Sequence, residues 1–260
     1  MKLARYAFGN DVTYGVVDGE WVTPVSGIPF GTRQLQRRRH ALADVKLLMP
    51  CTPTKVLAIG LNYPSHLGGQ AAPTQPEPFL KAPNSFIGPG DAIVLPKGAG
   101  RVDEEAELVV VIGKRCSKVA KSQALDYVLG YTCGNDVSAR VWQKGDRHAW
   151  RAKSSDTFAP FGPYIVTDLD GGNLDIYARV NGREVQHCRT SELLFDIPTV
   201  VSFISQAVTL EPGDLIFTGT SGAPAELHGG DVVEIEIPGI GTLRNPVQAE
   251  GQEEGTRNRG

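Results

Sequence analysis

The amino-acid sequence predicts a β-rich α+β protein. Glycine (30 residues) and proline (18 residues) are spread along the whole 260-residue chain, which suits short strands joined by tight turns. Apolar segments of strand length recur, whereas few stretches carry a helical pattern. Short strands therefore predominate, and this favours an α+β arrangement over a doubly wound sheet.

Residues 1–50 are predicted to form a small N-terminal β domain. Two short strand signals flank Asp18-Gly19, a dipeptide that is typical of hairpin turns. A helical stretch is expected near residues 42–48, and it ends before Pro50 because the residue preceding a proline disfavours the helical conformation. The domain boundary is placed near Pro50, so that a larger domain spans residues 51–250.

The larger domain carries most of the predicted strands. Asn181-Gly182 favours a type I′ hairpin turn between two of them. Helices are expected near residues 121–128 and 197–208, and the proline-rich segment 73–83 is expected to be irregular. The tail 251–260 has almost no apolar content and is predicted to be disordered. The predicted strands lie at residues 55–60, 108–112, 163–167, 176–180, 184–186, 215–218 and 231–237.

Bulk composition excludes several classes of function. The net charge of −3 and the pI near 6.0 give no reason to expect a nucleic-acid partner. No apolar run reaches the roughly 18 residues of a membrane span, and the N-terminus lacks the apolar core of a signal peptide. We therefore expect a cytoplasmic protein without a membrane partner. The four cysteines form no C-x-x-C pair and are expected to be reduced and mostly buried.

A cluster of acidic residues precedes a buried strand. Asp103, Glu104, Glu105 and Glu107 fall within five positions, directly before an apolar run. Because alternate side chains of a strand point the same way, Glu105 and Glu107 face one common point. Burying unpaired carboxylates is costly, so this pair indicates a metal ion. The alternative is a solvated strand end whose acids face water.

Asp136 supplies a third carboxylate from a separate segment. A set of three acidic oxygen donors suits Mg²⁺ or Mn²⁺ and leaves positions for water and substrate. Zinc is less suited, because no histidine or cysteine lies at ligand spacing nearby.

The order and spacing of several motifs closely resemble the fumarylacetoacetate hydrolase family. The similarity covers roughly residues 51–247, and the motifs follow the family's order. They are Glu105-Ala106-Glu107-Leu108, Gly130-Tyr131, Asn135-Asp136-Val137-Ser138-Ala139-Arg140 with Gln143, Ala152-Lys153-Ser154, Asp156-Thr157-Phe158, Gly162-Pro163, Asn181-Gly182, Leu210-Glu211-Pro212-Gly213-Asp214, Thr218-Gly219-Thr220 and Gly239-Ile240-Gly241.

This resemblance implies a fold, a cofactor and a range of reactions. The catalytic domain is expected to be the family's mixed β-sandwich roll, and the protein is expected to be a homodimer. A divalent metal, Mg²⁺ or Mn²⁺, is implied to be held by Glu105, Glu107 and Asp136. Family members act on small 2-oxo acids, 2,4-dioxo acids and their enols, by carbon–carbon hydrolysis, decarboxylation, keto–enol isomerisation or hydration.

The resemblance also implies roles for residues beyond the metal ligands. Lys153 matches the family's active-site lysine, a second cation near the developing negative charge. Arg140 and Gln143 are implied to contact the far end of the substrate, and helical offsets would place both on one face with Asp136. Thr220 matches a hydroxyl that holds a substrate oxygen. From the residues alone, the ordinary interpretation is a surface ion-pair partner for Arg140, a solvated side chain for Lys153 and a turn residue for Thr220.

His66 matches the family's histidine that reaches over the metal. In many family members a glutamate three residues later orients the ring, but this chain has Gly69 there. The pair Gly68-Gly69 favours a flexible loop over a helix. Glu77 is an alternative partner for the ring, and the remaining interpretation of His66 is a loop histidine without a catalytic part.

These observations predict a metal-dependent enzyme that acts on a small 2-oxo or 2,4-dioxo acid through a metal-stabilised enolate. Such an acid offers its carboxylate and ketone oxygens to a hard cation, which stabilises the charge that develops on the ketone oxygen. Carbon–carbon hydrolysis of the acylpyruvate or fumarylpyruvate type is the first expectation.

Other functions stay open at this stage. One is an isomerase or decarboxylase of aromatic-catabolism intermediates, of the 2-hydroxyhepta-2,4-diene-1,7-dioate or oxaloacetate type. Another is a hydratase of sugar-derived 2-oxo-3-deoxy acids. A catalytically silent module that binds a metal and an oxo acid is the alternative that Gly68-Gly69 favours.

Overall fold

The computed structural model describes residues 1–27 and 30–251, and the β-rich α+β class is confirmed. Within these residues there are twenty strands and three α-helices. The helices are α1 (Arg140–Gly145), α2 (Trp150–Ser154) and α3 (Ile197–Ala207). The strands are β1 (Lys2–Phe8), β2 (Asp11–Asp18), β3 (Trp21–Ser26), β4 (Gln34–Leu35), β5 (His40–Ala41), β6 (Lys46–Leu47), β7 (Val56–Gly60), β8 (Glu77–Lys81), β9 (Phe86–Ile87), β10 (Ile93–Leu95), β11 (Val102–Asp103), β12 (Ala106–Ile112), β13 (Val128–Asn135), β14 (Ser138–Ala139), β15 (Ala159–Val166), β16 (Asp175–Val180), β17 (Arg183–Arg189), β18 (Leu215–Phe217), β19 (Val232–Ile237) and β20 (Gly241–Ala249).

Thirteen of the described strands form the main sheet, whose principal order is β4-β3-β2-β1-β15-β13-β12-β18-β7-β8. Strand β12 lies between β13 and β18 and is buried along its whole length. Its run of valine and leucine suits this position, because a strand covered on both faces needs apolar side chains on each. The centre of the main sheet is therefore fixed by β12.

A second sheet of five strands packs on the main sheet, in the order β10-β20-β19-β16-β17. Leu108 and Val110 of β12 belong to one core cluster with Ile176 of β16 and Ile235 of β19. Two stacked sheets with an apolar layer between them form a sandwich. This arrangement agrees with the family fold that the motifs implied.

The N-terminal strands continue the main sheet. Strand β1 pairs antiparallel with β15, and Leu3 packs in a core cluster with Phe161 and Phe217 on the other face of the main sheet. The division of the chain near Pro50 stays a prediction.

Two local predictions from the sequence are confirmed. Asn181 and Gly182 join β16 to β17 with φ values of 53° and 77°, and both are positive as a type I′ turn requires. Helix α3 lies where a helix was expected, and the Asp196 carboxylate caps it by accepting a 2.9 Å hydrogen bond from the Thr199 N–H.

The helix expected near residues 121–128 is present as a 3₁₀ helix, Lys121–Tyr127. Two other local predictions are wrong. The stretch 42–48 holds only a 3₁₀ turn at Leu42–Asp44 followed by strand β6. The segment 73–83, expected to be irregular, contains β8, which pairs antiparallel with β7. A proline is tolerated in β8 because this strand is at the edge of the sheet.

All four cysteines are buried and free, as expected. Of the predicted disordered tail, residues 252–260 lie outside the described part of the chain. Within that part, no helix combines the length and the apolar character that crossing a membrane requires.

Candidate active site

Three carboxylates converge at the start of the central strand. Glu105 directly precedes β12, Glu107 is its second residue, and Asp136 directly follows β13. Because β12 and β13 are antiparallel and pair Ala106 with Asn135, the end of one strand lies beside the start of the other. One ligand atom from each acid lies within 4.8 Å of the other two.

The solvated strand end, the alternative from the sequence, is wrong. The exposed fractions of Asp103, Glu104, Glu105 and Glu107 are 3%, 0%, 3% and 1%. Buried carboxylates require partners, because the protein interior solvates charge poorly. The cluster is thus an interior feature of the fold.

Backbone and amide groups hold the candidate ligands in place. The Asn135 side-chain oxygen accepts a 2.9 Å hydrogen bond from the Glu105 N–H, and the Asp136 N–H donates to the Glu105 carbonyl at 2.9 Å. The Gly219 N–H donates to Glu107 Oε2 at 2.7 Å. Fixed donors of this kind orient carboxylates before any cation binds.

Two buried lysines face the same acids. Lys153 of α2 places its Nζ 2.7 Å from Glu105 Oε2 and 2.6 Å from Asp136 Oδ2. Lys81, the last residue of β8, donates to Asp136 Oδ1 and to the Lys153 carbonyl, and it is only 1% exposed. Lys81 was missed because its segment was expected to be irregular, and the sequence carries no signal that buries a lysine at that strand end.

The neighbouring charges separate the pKa values of the acids. Burial raises the pKa of Glu105, but the positive charges of Lys153 and Arg140 outweigh it and hold this pKa well below its ordinary value. Burial, then the negative charges of Asp136 and Glu105, raise the pKa of Glu107 well above normal. Burial lowers the pKa of Lys153, but the negative charges of Asp136 and Glu105 outweigh it, so that the pKa of this lysine is raised. Glu107 is therefore the carboxylate that most needs a further cation.

The donor set fits a divalent metal ion. All three donors are carboxylates, which are the hard ligands that Mg²⁺ and Mn²⁺ prefer. They are buried and close together, and burial, together with the negative charges of Asp136 and Glu105, raises the pKa of Glu107. A divalent cation would be held by Glu105, Glu107 and Asp136.

His66 lies beside this cluster. It ends a 3₁₀ turn, Pro64–His66, and its Nε2 lies 4.0 Å from Glu105 Oε1. The other ring nitrogen, Nδ1, lies 2.7 Å from the Gly222 carbonyl oxygen. Glu77 is exposed in β8, where its backbone pairs with Gly60. The structure therefore brings His66 to the acids, with a backbone carbonyl as the partner of its ring.

Arg140 is already engaged by acidic residues. Its Nε donates to Asp103 Oδ2 at 2.7 Å, and its Nη2 lies 2.7 Å from Glu105 Oε1. Gln143, one turn later in α1, accepts a 3.0 Å hydrogen bond from Arg140 Nη1. The helical face that the sequence predicted is wrong for Asp136, because α1 begins only at Arg140.

Thr220 presents its hydroxyl beside the cluster. The Gln186 amide donates to Thr220 Oγ1 at 3.1 Å and to the Ser221 carbonyl at 2.6 Å. Since Oγ1 accepts from Gln186, the hydroxyl hydrogen is available as a donor to a bound molecule. Gln186 is a buried positioning group that the sequence did not reveal.

These groups enclose a small cavity of about 80 Å³. Of the eight residues to which the sequence assigned a metal-binding, catalytic or substrate-binding role, all except Arg140 line it, and Arg140 contacts the lining residue Glu105. The lining residues are Ile59, Gly60, Leu61, His66, Phe79, Glu105, Glu107, Asp136, Gln143, Lys153 and Thr220.

The burial of Glu104 leads us to expect that the free energy of unfolding depends on pH. Its side chain is fully buried, its Oε1 accepts from the Ala225 N–H, and burial raises its pKa from 4.5 to about 8. Between these two values the folded protein keeps a proton that the unfolded chain releases, so the free energy of unfolding should fall as pH rises through this window. Glu104→Gln removes the group that causes this dependence. Without metal, the free energy of unfolding of the variant should therefore be higher than that of the wild type, and the difference should grow as pH rises toward 8.

Urea unfolding of EDTA-treated protein between pH 5.5 and 8.5 measures this difference. Glu184→Gln, at an exposed position of β17, is the matched control and should follow the wild type at every pH. Parallel pH profiles for Glu104→Gln and the wild type would contradict the assigned protonation.

Comparisons with known proteins add to this geometry. The family model of the fumarylacetoacetate hydrolase C-terminal domain matches residues 55–248, and an Rv2993c-like N-terminal family model matches residues 1–50. Protein Rv2993c of Mycobacterium tuberculosis is 44% identical over 264 residues, covering 97% of this chain and 100% of that protein.

Two solved structures are similar over nearly the whole chain. A 2-hydroxyhepta-2,4-diene-1,7-dioate isomerase from Mycobacterium marinum is 43% identical with a TM-score of 0.91, covering 97% of this chain and 100% of its own. Maleylpyruvate hydrolase from Sphingobium sp. SYK-6, in complex with manganese(II) and pyruvate, is 31% identical with a TM-score of 0.80. The match covers 96% of this chain and 99% of the hydrolase chain. The manganese complex and the buried acids together support a divalent metal in this fold.

Proposed function

Because this chain belongs to the fumarylacetoacetate hydrolase family of enzymes, we propose that it catalyses proton transfer at the carbon next to the ketone of a small 2-oxo acid. The product is the keto or enol isomer of the substrate. Mg²⁺ or Mn²⁺ is the proposed cofactor, held by Glu105, Glu107 and Asp136.

One observation carries this proposal. Three buried carboxylates, the Lys153 ammonium and the His66 ring converge on one cavity of about 80 Å³. A cavity of this size accepts the carboxylate and ketone of an oxo acid. A cation-binding centre beside a base is the arrangement that abstraction of a proton next to a carbonyl requires.

The residues of the chain divide the chemistry among them. The metal, when bound, supplies Lewis-acid stabilisation of negative charge on oxygen. Lys153 places a fixed positive charge beside the same oxygen, in a buried setting where charge interactions are strong. The Thr220 hydroxyl donates to a carboxylate oxygen of the substrate, and His66 Nε2 accepts the proton from carbon. Ile59, Leu61 and Phe79 exclude water from the cavity.

Carbon–carbon hydrolysis is the second candidate. His66 Nε2 is 4.0 Å from Glu105 Oε1, a separation at which the ring is also able to take a proton from a water beside the acids. The similar maleylpyruvate hydrolase supports this reaction class. Isomerisation ranks first because it needs only proton transfer, and because the similar M. marinum isomerase matches more closely over the same length.

A panel of substrates separates the two reactions. Oxaloacetate, acetylpyruvate and 2-hydroxyhepta-2,4-diene-1,7-dioate are incubated with protein in D₂O, with Mg²⁺, with Mn²⁺ or with EDTA, and followed by proton NMR. Isomerisation gives metal-dependent deuterium incorporation at the carbon next to the ketone without chain cleavage. Release of pyruvate from acetylpyruvate would establish hydrolysis, and equal rates in EDTA would refute the metal-dependent proposal.

We also propose that the protein is a homodimer, as the family resemblance implies. Light scattering after size-exclusion chromatography tests this, and a mass of one chain, 27.9 kDa, would contradict it.

We expect the substitution Thr220→Val to weaken substrate binding selectively. Valine keeps the shape of the side chain but removes the hydroxyl donor, so KM should rise about tenfold, the equivalent of one hydrogen bond of about 1.4 kcal/mol. Thr220→Ser keeps the hydroxyl and should stay within threefold of the wild type. Steady-state kinetics on the preferred substrate measure both, and an unchanged KM in the valine variant would remove Thr220 from the binding site.

A further inference from the structure

His66 is held by a backbone carbonyl and not by a carboxylate. Its Nδ1 lies 2.7 Å from the Gly222 oxygen. Gly69, the position that the family resemblance pairs with this ring, is exposed and contributes no side chain, and Glu77 is exposed in β8. The orienting group is therefore supplied by the turn at Ser221-Gly222.

A carbonyl partner determines which ring nitrogen carries hydrogen. A carbonyl oxygen only accepts hydrogen bonds, so the nitrogen that faces Gly222 must donate. In the neutral ring the other nitrogen then has a free lone pair. This nitrogen is Nε2, which lies 4.0 Å from Glu105 Oε1 and borders the cavity.

The turn that carries this carbonyl is fixed from two sides. The Gly222 N–H donates to Ser65 Oγ at 3.1 Å, which ties the turn to the residue before His66. The Ser221 carbonyl accepts from Gln186 at 2.6 Å, and Gln186 accepts a 3.0 Å hydrogen bond from the Ala106 N–H of β12. The carbonyl is thus connected to the strand that bears the metal-binding acids.

We propose that Gly222 is a positioning residue that fixes His66 as the Nδ1–H tautomer, so that Nε2 is the atom that receives the substrate proton. This assignment rests on the proposed function for its catalytic consequence. The tautomer itself follows from the geometry alone, and it makes a carboxylate at position 69 unnecessary.

The tautomer is measured directly by NMR. Two-bond ¹H–¹⁵N spectra of EDTA-treated protein labelled at its five histidines are recorded at a pH where the ring is neutral, and the His66→Gln variant identifies the His66 signals. We expect the pattern of a single Nδ1–H tautomer. An Nε2–H pattern, or an average of the two, would overturn the proposal.

A matched pair of glycine variants tests the role of the turn. Gly222 has a φ of +59° with open space where a Cβ atom would lie, and Gly9, in the hairpin between β1 and β2, has the same φ and the same open space. Alanine at either position meets a strain of about 1–2 kcal/mol, comparable to the net value of one hydrogen bond. In Gly222→Ala alone, His66 should show Nε2–H signals, and kcat should fall about three- to tenfold with KM unchanged.

Identical His66 spectra in Gly222→Ala and Gly9→Ala would reject the positioning role. Gly69→Glu, which restores a carboxylate at the family's position, should match Gly69→Ala in kcat within twofold, because Nδ1 already has a partner and both variants carry the strain of a side chain at φ +87°. A tenfold rise in that variant would also reject the proposal. If the tautomer is as expected but no substrate turns over, the proposed function fails while the assignment of the ring stands.

Discussion

Glu107→Gln is expected to abolish divalent-metal binding and catalysis together. The amide keeps the acceptor for the Gly219 N–H but removes the charge that would hold the cation. Loss of groups that merely support a metal ligand lowers affinity about 10–100-fold, so loss of a ligand charge should exceed 100-fold. The kcat/KM value should fall by at least about 10³ on the same grounds.

The metal-free form of this variant should unfold no more easily than the wild type. Burial and the nearby Asp136 and Glu105 raise the pKa of Glu107, which means that its negative charge is unfavourable in the empty site. Calorimetry or Mn²⁺ electron paramagnetic resonance measures affinity, and urea unfolding in EDTA measures stability. Glu184→Gln on the surface is the control, and wild-type Mn²⁺ affinity in Glu107→Gln would eliminate the site.

Lys153→Met is expected to lower both stability and kcat. The ammonium contacts Glu105 Oε2 and Asp136 Oδ2 in the interior, and its removal leaves both carboxylates short of positive charge. Removing one partner of a buried ion pair costs about 3–5 kcal/mol, which is the expected fall in the unfolding free energy of the metal-free protein. The kcat value should fall about 10²–10³-fold, as on removal of a group that stabilises developing negative charge.

Added metal should recover part of the lost stability, because the cation supplies positive charge to the same carboxylates. Urea unfolding with EDTA and with Mg²⁺ therefore shows a larger metal effect in Lys153→Met than in the wild type. Lys144→Met, at an exposed position of α1, controls for loss of a lysine. A metal-free Lys153→Met protein as stable as the wild type would show that this contact does not stabilise the fold.

Short-range patterns in the sequence correctly indicated that the candidate metal ligands lie together. Alternation along an extended segment predicted that Glu105 and Glu107 face one point at the start of β12, and the structure has both beside Asp136. A turn dipeptide, Asn181-Gly182, placed a hairpin correctly because the required φ values depend on those two residues alone.

Contacts between distant segments were beyond the reach of such patterns. Lys81 meets Asp136 only because β8 pairs with β7 at the sheet edge, and nothing in its local sequence indicates burial. Gln186 of β17 bonds to β12 and to the turn at Ser221-Gly222, and the Gly222 carbonyl of that turn bonds to His66. A pattern of neighbouring residues does not encode partners that lie far away along the chain.

The helical face expected for Asp136, Arg140 and Gln143 failed for a different reason. A short strand, β14, intervenes after Asp136 and pairs with β11, so the helix starts only at Arg140. The pairing of β14 with β11 thus determines the local structure at this point, and the helical spacing of the three residues does not. Arg140 and Gln143 nevertheless meet at helical spacing, as their 3.0 Å hydrogen bond records.

The acids at the start of β12 lie in a part of the fold that tolerates little change, whereas the residues at the rim of the cavity lie outside the main sheet. These acids emerge from the middle of a thirteen-stranded sheet, so altering that strand disturbs both core layers at once. The groups that would touch the variable end of a substrate, Leu61 and Gln143, belong instead to a connecting segment and to a short helix at the rim. New substrate preferences are therefore able to arise by exchanging rim segments while the cluster of Glu105, Glu107 and Asp136 stays intact.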